Sequence, residues 1–225
     1  MSGLLFIISA PSGSGKSTLV NELRKVVPGL EFSVSYTTRT PRGSERHGTE
    51  YFFVDRAEFE RMIAADSFLE HAQVFGNYYG TARHFLDDAC KRGNDLLLDI
   101  DVQGAAQVKQ RKPDAASIFI LPPDRKTLEW RLRTRAQDQE EVIQRRLAEA
   151  RGEIENYRGY DYILVNDRLE ESTEALKAIV ESERDQWAEH QSAGAAARLA
   201  AANRSLRDNM DGRVQSILAS FAEPQ

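Results

Sequence analysis

Short apolar runs alternate with amphipathic stretches along most of the chain. Leu4 to Ile8 is an apolar run of strand length, and Leu19, Val20 and Leu23 recur behind it at helical spacing. Pro28-Gly29 breaks that helix, and Phe32 to Ser35 reads as a short strand. Residues 37–50 are polar and turn-rich. Tyr51 to Val54 then reads as a strand, and Arg56 to Ala65 as a helix carrying Phe59, Met62 and Ile63 on one face. Residues 68–82 alternate aromatic and polar positions about Gly76-Asn77, which predicts a hairpin. Helices follow at His84 to Arg92, Gln103 to Gln110, Leu128 to Arg135, Glu140 to Tyr157 and Leu169 to Trp187. Between them lie apolar strands at Asp95 to Asp101, Ala116 to Leu121 and Tyr162 to Val165. Strands separated by helices predict an α/β fold with a parallel sheet, interrupted by a β-rich insert over residues 35–82. From Ser192 the chain is Ala-rich and then weakly amphipathic, with Val214, Ile217, Leu218 and Phe221. It reads as a solvent-exposed helix or frayed end, dispensable for activity, with an oligomer contact as the alternative.

The junction of the first strand and helix carries chemistry. Ala10-Pro11-Ser12-Gly13-Ser14-Gly15-Lys16-Ser17-Thr18 is the loop of a P-loop, which binds nucleotide phosphates. Backbone amides curl around a β-phosphate, so the side chains there stay small. Gly13 and Gly15 permit positive φ and close approach. Lys16 reaches toward β- and γ-phosphates, and Ser17 offers a hydroxyl to Mg²⁺. Ala10 stands where the usual pattern begins with Gly. The bland alternative is a Gly/Ser turn after an edge strand.

Bulk properties narrow the class. A chain of 225 residues, 41% hydrophobic and 29% charged, is long enough for one α/β domain with an inserted lobe. A formal net charge of −5 argues against a nucleic-acid footprint over the whole surface. The lone Cys90 excludes an internal disulfide, and no Cys/His cluster suggests zinc. No apolar run approaches the roughly 20 residues of a membrane span, and Leu4 to Ile8 is too short for a signal peptide. The expectation is a cytoplasmic enzyme with no membrane or nucleic-acid partner.

Other groups add to the phosphate loop. Asp99 and Asp101 end an apolar strand, where open α/β sheets bind ligands and where P-loop enzymes place an acid for Mg²⁺. The alternative is an Asp that caps the next helix. Arg131, Arg133, Arg135, Arg145 and Arg146 could supply positive charge to a moving phosphoryl group, or line a solvated helix face with the interleaved acids. Within the insert, Arg39, Arg42, Tyr51 and Tyr79 are donors suited to a phosphate. Glu70 lies among apolar and aromatic residues. A carboxylate accepting two N–H groups from a guanine edge would explain it, although spacing alone favours a surface Glu on a hairpin.

Taken together, APSGSGKST, SVSYTTRTPR, EYFF, FLEHAQVFGNYYGT, LLLDIDVQGA, EEVIQRRL and DYILVND resemble guanylate kinase, from about residue 3 to about 188. The resemblance implies a P-loop parallel-sheet core at 3–34, 83–126 and 158–188. It also implies an inserted β-rich GMP-binding lobe at 35–82, a helical lid at 127–157, and a helical tail at 189–225 outside the family pattern. It implies transfer of a phosphoryl group from ATP to GMP with Mg²⁺. By motif position, residues Pro11, Ser12, Gly13, Ser14, Gly15, Lys16, Ser17, Thr18 and Asn166 look like ATP contacts. Ser35, Glu70 and Thr81 look like guanine contacts, and Arg39, Arg42, Tyr51 and Tyr79 like the clamp on the GMP phosphate. Asp101 is similar to a family acid near GMP. Lys16, Arg135 and one of Arg145 or Arg146, with Arg146 preferred, look like carriers of transition-state charge. Asp99 and Ser17 look like the Mg²⁺ and Mg²⁺–water contacts. Thr134 and Ala136 stand where the family's lid commonly has glycines. A related acceptor such as ribose 1,5-bisphosphate is the alternative substrate, and a non-catalytic scaffold domain is a remoter one. The sequence leaves the oligomeric state open.

Overall fold

The structure is a computed structural model of the chain. It describes residues 3–74, 76–135, 139–188 and 193–222, and the side chains of Val74 and Arg135 also lie outside the described residues. β1 (Leu5–Ser9) is buried throughout, as expected of a strand covered on both faces. The five-stranded sheet runs in the order β2 (Leu30–Phe32), β7 (Asp95–Asp99), β1, β8 (Ala116–Leu121), β9 (Tyr162–Val165). The β2–β7 and β8–β9 pairs are parallel, as the α/β alternation predicts. The chain divides into two compact units, residues 1–7 with 29–115 and residues 8–28 with 116–225.

The first unit contains a second, four-stranded sheet in the order β4 (Phe52–Phe53), β3 (Tyr36–Thr37), β6 (Asn77–Ala82), β5 (Phe68–Val74). The expected hairpin is β5–β6, with Ala72 opposite Tyr79 and Glu70 opposite Thr81. A bulge between Phe68 and Glu70 leaves Leu69 as the extra residue. α2 (Arg56–Ala64) starts at Asp55, whose carboxylate accepts the Glu58 amide at 2.7 Å. Its Phe59 is fully buried and stacks between Phe68 at 4.5 Å and Tyr78 at 5.2 Å. Two boundaries differ from expectation. The strand expected at Phe32 to Ser35 is β2, ending at Phe32; Ser33 still donates to Leu97, and then the chain enters the smaller sheet. β7 stops at Asp99 because Asp101 caps α4 (Val102–Arg111), accepting the Gly104 amide at 2.8 Å. α3 (His84–Lys91) completes this unit.

The second unit holds α1 (Lys16–Val26), α5 (Arg125–Arg135), α6 (Glu140–Ile154) and α7 (Leu169–Trp187). α1 buries Leu19, Val20 and Leu23 and packs on α7. α5 and α6 meet over Leu128, Leu132, Ile143, Leu147 and Ala150. A short 3₁₀ segment, Glu155–Gly159, replaces the last turn expected of α6.

The tail overturns the reading of an exposed or frayed end. It forms α8 (Ala195–Asn203), packed on α7, and α9 (Arg207–Ser220). Between them the backbone follows β9: Ile163 donates to the Ser205 carbonyl at 2.7 Å and Arg207 donates to the Asp161 carbonyl at 3.0 Å. Ala202, Val214 and Ile217 are buried, and Phe221 packs against the α5–α6 cluster.

Candidate active site

In the second unit the phosphate loop has the expected backbone. Gly13 and Gly15 sit at φ 89° and 88°, and Ser14 donates to the Pro11 carbonyl at 3.1 Å. Gly15 also has no room for a side chain, since a Cβ there would lie 2.4 Å from Nδ2 of Asn166. Asn166 is buried and donates to the Ser14 carbonyl at 2.8 Å. Arg131 donates to the same carbonyl at 3.3 Å and to the Asn166 carbonyl at 2.8 Å. Both side chains thus bond to the loop backbone at Ser14. The Ser14 hydroxyl is buried without a hydrogen-bond partner among the described residues. Pro11 is buried, Ser12, Ser17 and Thr18 are exposed, and Lys16 is half-buried in the first turn of α1. A loop that ends at a helix N-terminus favours an anion.

The first unit gathers the insert residues by strand register. Glu70 pairs with Thr81 across β5–β6, and Tyr36 pairs with Gly80 across β3–β6, which carries Ser35 to the level of Thr81. Directly opposed residues share a face, so Ser35, Thr81 and Glu70 form one row across three strands. The regular pairing counted back from Val74–Asn77 sets Glu70 opposite Thr81, and the bulge at Leu69 falls just beyond it, bringing Phe68 opposite Ala82. Glu70 is only 5% exposed. Burial pushes its carboxyl up to about 7, Thr81 offsets part of this, and the Asp101 charge adds to it. The buried Thr81 hydroxyl completes no hydrogen bond of standard geometry. A buried carboxylate with no cation beside it among the described residues leaves acceptors for something polar from outside the chain.

Two residues along β6 on the same face, Tyr79 begins a second group. Its ring is 6.0 Å from that of Tyr51. The Arg39 guanidinium lies 5.3 Å from the Tyr51 ring centre and 5.9 Å from that of Phe53. Arg39 is buried and held by both oxygens of Glu45, each at 3.0 Å, and this pairing raises its already high pKa. Glu45 also accepts the Arg42 amide at 2.8 Å, while the Arg42 side chain is exposed. Burial raises the Tyr51 hydroxyl, and Tyr79 and Asp99 add to that, which places Asp99 near this group. Glu45 escapes sequence reasoning because it lies in no periodic pattern, and Arg131, expected as a charge for the phosphoryl group, instead donates to backbone carbonyls of the loop and of Asn166.

The arginines separate by environment. Arg133 joins Glu129 at 2.7 Å and Glu140 at 2.5 Å, linking α5 to α6 on the surface. Arg145 is exposed beside Glu149, while Arg146 is half-buried. The Arg135 side chain and residues 136–138 lie outside the described residues. Asp101 has its capping task and is exposed. Among the described residues no group of three or more His, Cys, Asp or Glu could hold a metal, and no helix is long and apolar enough to cross a membrane.

Comparison with known proteins gives the family. The family model for guanylate kinase matches residues 2–183. A guanylate kinase of Koribacter versatilis is 62% identical over 227 residues, covering 99% of this chain and 97% of that one. The guanylate kinase of Escherichia coli K12 is 52% identical over 184 residues, 81% of this chain and 89% of that one. The tail is therefore shared with the first relative. A crystal structure of guanylate kinase from Anaplasma phagocytophilum superposes with a TM-score of 0.63 at 35% identity, over 81% of this chain and 86% of that one. With the family model matching residues 2–183 and relatives at 52% and 62% identity over most of their lengths, the chain belongs to the guanylate kinase family.

Proposed function

We propose that the chain transfers the γ-phosphoryl group of ATP to the phosphate of GMP, giving ADP and GDP, with Mg²⁺ carried by the nucleotide. The observation that carries the acceptor assignment is the row of Ser35, Thr81 and the buried Glu70 on the same face as Arg39, Tyr51 and Tyr79. A guanine presents N1–H and a 2-amino group as adjacent donors, which one carboxylate accepts together. The neighbouring guanidinium and phenols, with Arg42, suit the GMP phosphate, and Asp101 lies beside the Glu70 carboxyl.

Pro11 to Thr18 cradle the ATP phosphates, with Asn166 bracing the loop through Ser14. Lys16, Arg135 and Arg146 offset charge on the transferring group. Ser17 and Asp99 are the residues that would hold Mg²⁺, which would supply positive charge to the nucleotide phosphates. No general base is needed, because the acceptor phosphate is already an anion. The protein's task is alignment, charge neutralisation and exclusion of water. We assign the core to 3–34, 83–126 and 158–188, the GMP lobe to 35–82 and the lid to 127–157.

The test is ADP release with GMP, dGMP, AMP and ribose 1,5-bisphosphate as acceptors. GMP should exceed AMP by roughly 10⁴ or more in kcat/KM, because AMP leaves Glu70 unpaired in a closed site. Preference for the ribose bisphosphate would overturn the assignment.

A further inference from the structure

Gly104 has no conformational reason to be glycine. It lies in the first turn of α4, its φ is outside the left-handed region, and it is buried. A glycine in helical conformation costs up to about 1 kcal/mol relative to alanine. What sets the position apart is the space beside it. A Cβ on Gly104 would lie 2.7 Å from Oε2 of Glu70, 3.1 Å from its Cδ and 3.4 Å from Oδ1 of Asp101.

The helix cannot simply move away. Gln107, three residues on and so on the same side of α4, is bonded twice to the backbone of β5 next to Glu70. Its Nε2 donates to the His71 carbonyl at 2.9 Å, and its Oε1 accepts the His71 amide at 3.2 Å. The side-chain amide thus ties α4 to β5 as a neighbouring strand would. With the helix so fixed, a methyl group at position 104 is relieved by the free end of Glu70. Its carboxylate must retreat by about 0.7 Å to pass from 2.7 Å to ordinary contact at 3.4 Å.

We propose that Gly104 is a positioning residue for base specificity: its missing side chain lets the Glu70 carboxylate sit against α4, at the depth from which both oxygens meet the guanine edge. This rests on the reading of Glu70 as the guanine contact. Burial of the carboxylate agrees with that role, since a group so deep has few alternative rotamers.

The experiment measures kcat and KM for GMP and IMP, KM for ATP, and melting temperature, in wild type, Gly104→Ala, Glu70→Gln and the double variant. IMP keeps N1–H and lacks the 2-amino group, so the GMP/IMP ratio in kcat/KM reads one of the two bonds. Loss of one charge-assisted hydrogen bond is worth roughly tenfold or more. Gly104→Ala should raise the KM for GMP by about that factor and narrow the GMP/IMP ratio. The KM for ATP and the melting temperature should hold or, for the latter, rise slightly. In the Glu70→Gln background the same alanine should cost less than about threefold, because the contact it disturbs is already gone. Three results overturn the proposal. If Glu70→Gln narrows the GMP/IMP ratio and Gly104→Ala does not, the carboxylate needs no such space. If the two substitutions are additive, or the alanine lowers stability and ATP affinity together, the effect is general packing. If Glu70→Gln leaves the ratio unchanged, the guanine reading itself fails and this inference falls with it.

Discussion

Replacing Ile217 with alanine should destabilise the second unit although position 217 lies far along the chain from every phosphate-binding motif. Ile217 is 1% exposed, and Val214, one turn earlier, is 0% exposed. Large-to-small changes at such sites remove transfer energy and leave a cavity, about 2–5 kcal/mol for Ile→Ala. Taking about 3 kcal/mol, and roughly 2–4 °C per kcal/mol for a chain of this size, the melting temperature should fall by about 6–12 °C. Ser216→Ala is the control on the same helix: Ser216 is exposed, bonds only to the Gly212 carbonyl among the described contacts, and should shift stability by less than about 0.5 kcal/mol. Truncation after Gln191 should be worse than either. It removes the Ser205 and Arg207 backbone bonds along β9 and so opens the edge of the five-stranded sheet. It also removes Phe221 from the α5–α6 cluster and Ser220, whose hydroxyl accepts the Arg125 amide at 3.0 Å at the start of α5. Thermal unfolding by circular dichroism, with light scattering on the truncated chain, is the assay. If Ile217→Ala and the truncation both melt with wild type, the tail does not pack as described and the argument from its burial is wrong.

On the proposed role of Lys16 at the phosphate oxygens, Lys16→Ala should lower kcat by on the order of 10²-fold or more with the melting temperature held; a folded variant with near-normal kcat refutes that role. If Arg135 carries transition-state charge as proposed, Arg135→Ala should lower kcat far more than it raises the KM for GMP; a change confined to KM would move Arg135 to substrate binding. The Glu70 carboxyl, at about 7 in the fold against 4.5 when exposed, predicts a pH-dependent cost in the ligand-free protein. Between those values the folded chain keeps a proton that the unfolded chain has lost, so stability falls as pH rises through this window and stays lowered above it, by on the order of 3 kcal/mol. Glu70→Gln should therefore melt higher than wild type at pH 8, with the gain shrinking toward pH 5; a gain independent of pH would show that ionisation of Glu70 is not its source.

The legible parts of this site are the ones written locally. Leu4 to Thr18 carries strand, small-residue loop, lysine and helix within a single stretch, and each residue's conformation follows from its neighbours. The observed φ of Gly13 and Gly15 is what that stretch dictates. Glu70 is different. Alternation along residues 68–82 predicts the hairpin, and pairing counted back from the turn puts Glu70 opposite Thr81, but the alternation does not say which face of the hairpin is covered. Its company of Ser35 and Thr81 depends on the register of three strands, and its depth depends on a glycine more than 30 residues later in the chain. Spacing alone therefore favours a surface glutamate, and only the family motifs pointed the other way. The tail fails for a related reason. Val214, Ile217, Leu218 and Phe221 do follow helical spacing, yet four apolar residues in a polar, Ala-rich end cannot by themselves name a partner. The partners are the edge of β9 and the face of α5–α6, contributed by segments that sequence reading had already treated as complete. In each case the missing information is a pairing across strands or helices, and a pairing has no signature in either segment taken alone. A group whose surroundings look chemically wrong for it, such as an acid among aromatics, is the one local clue that such a pairing exists.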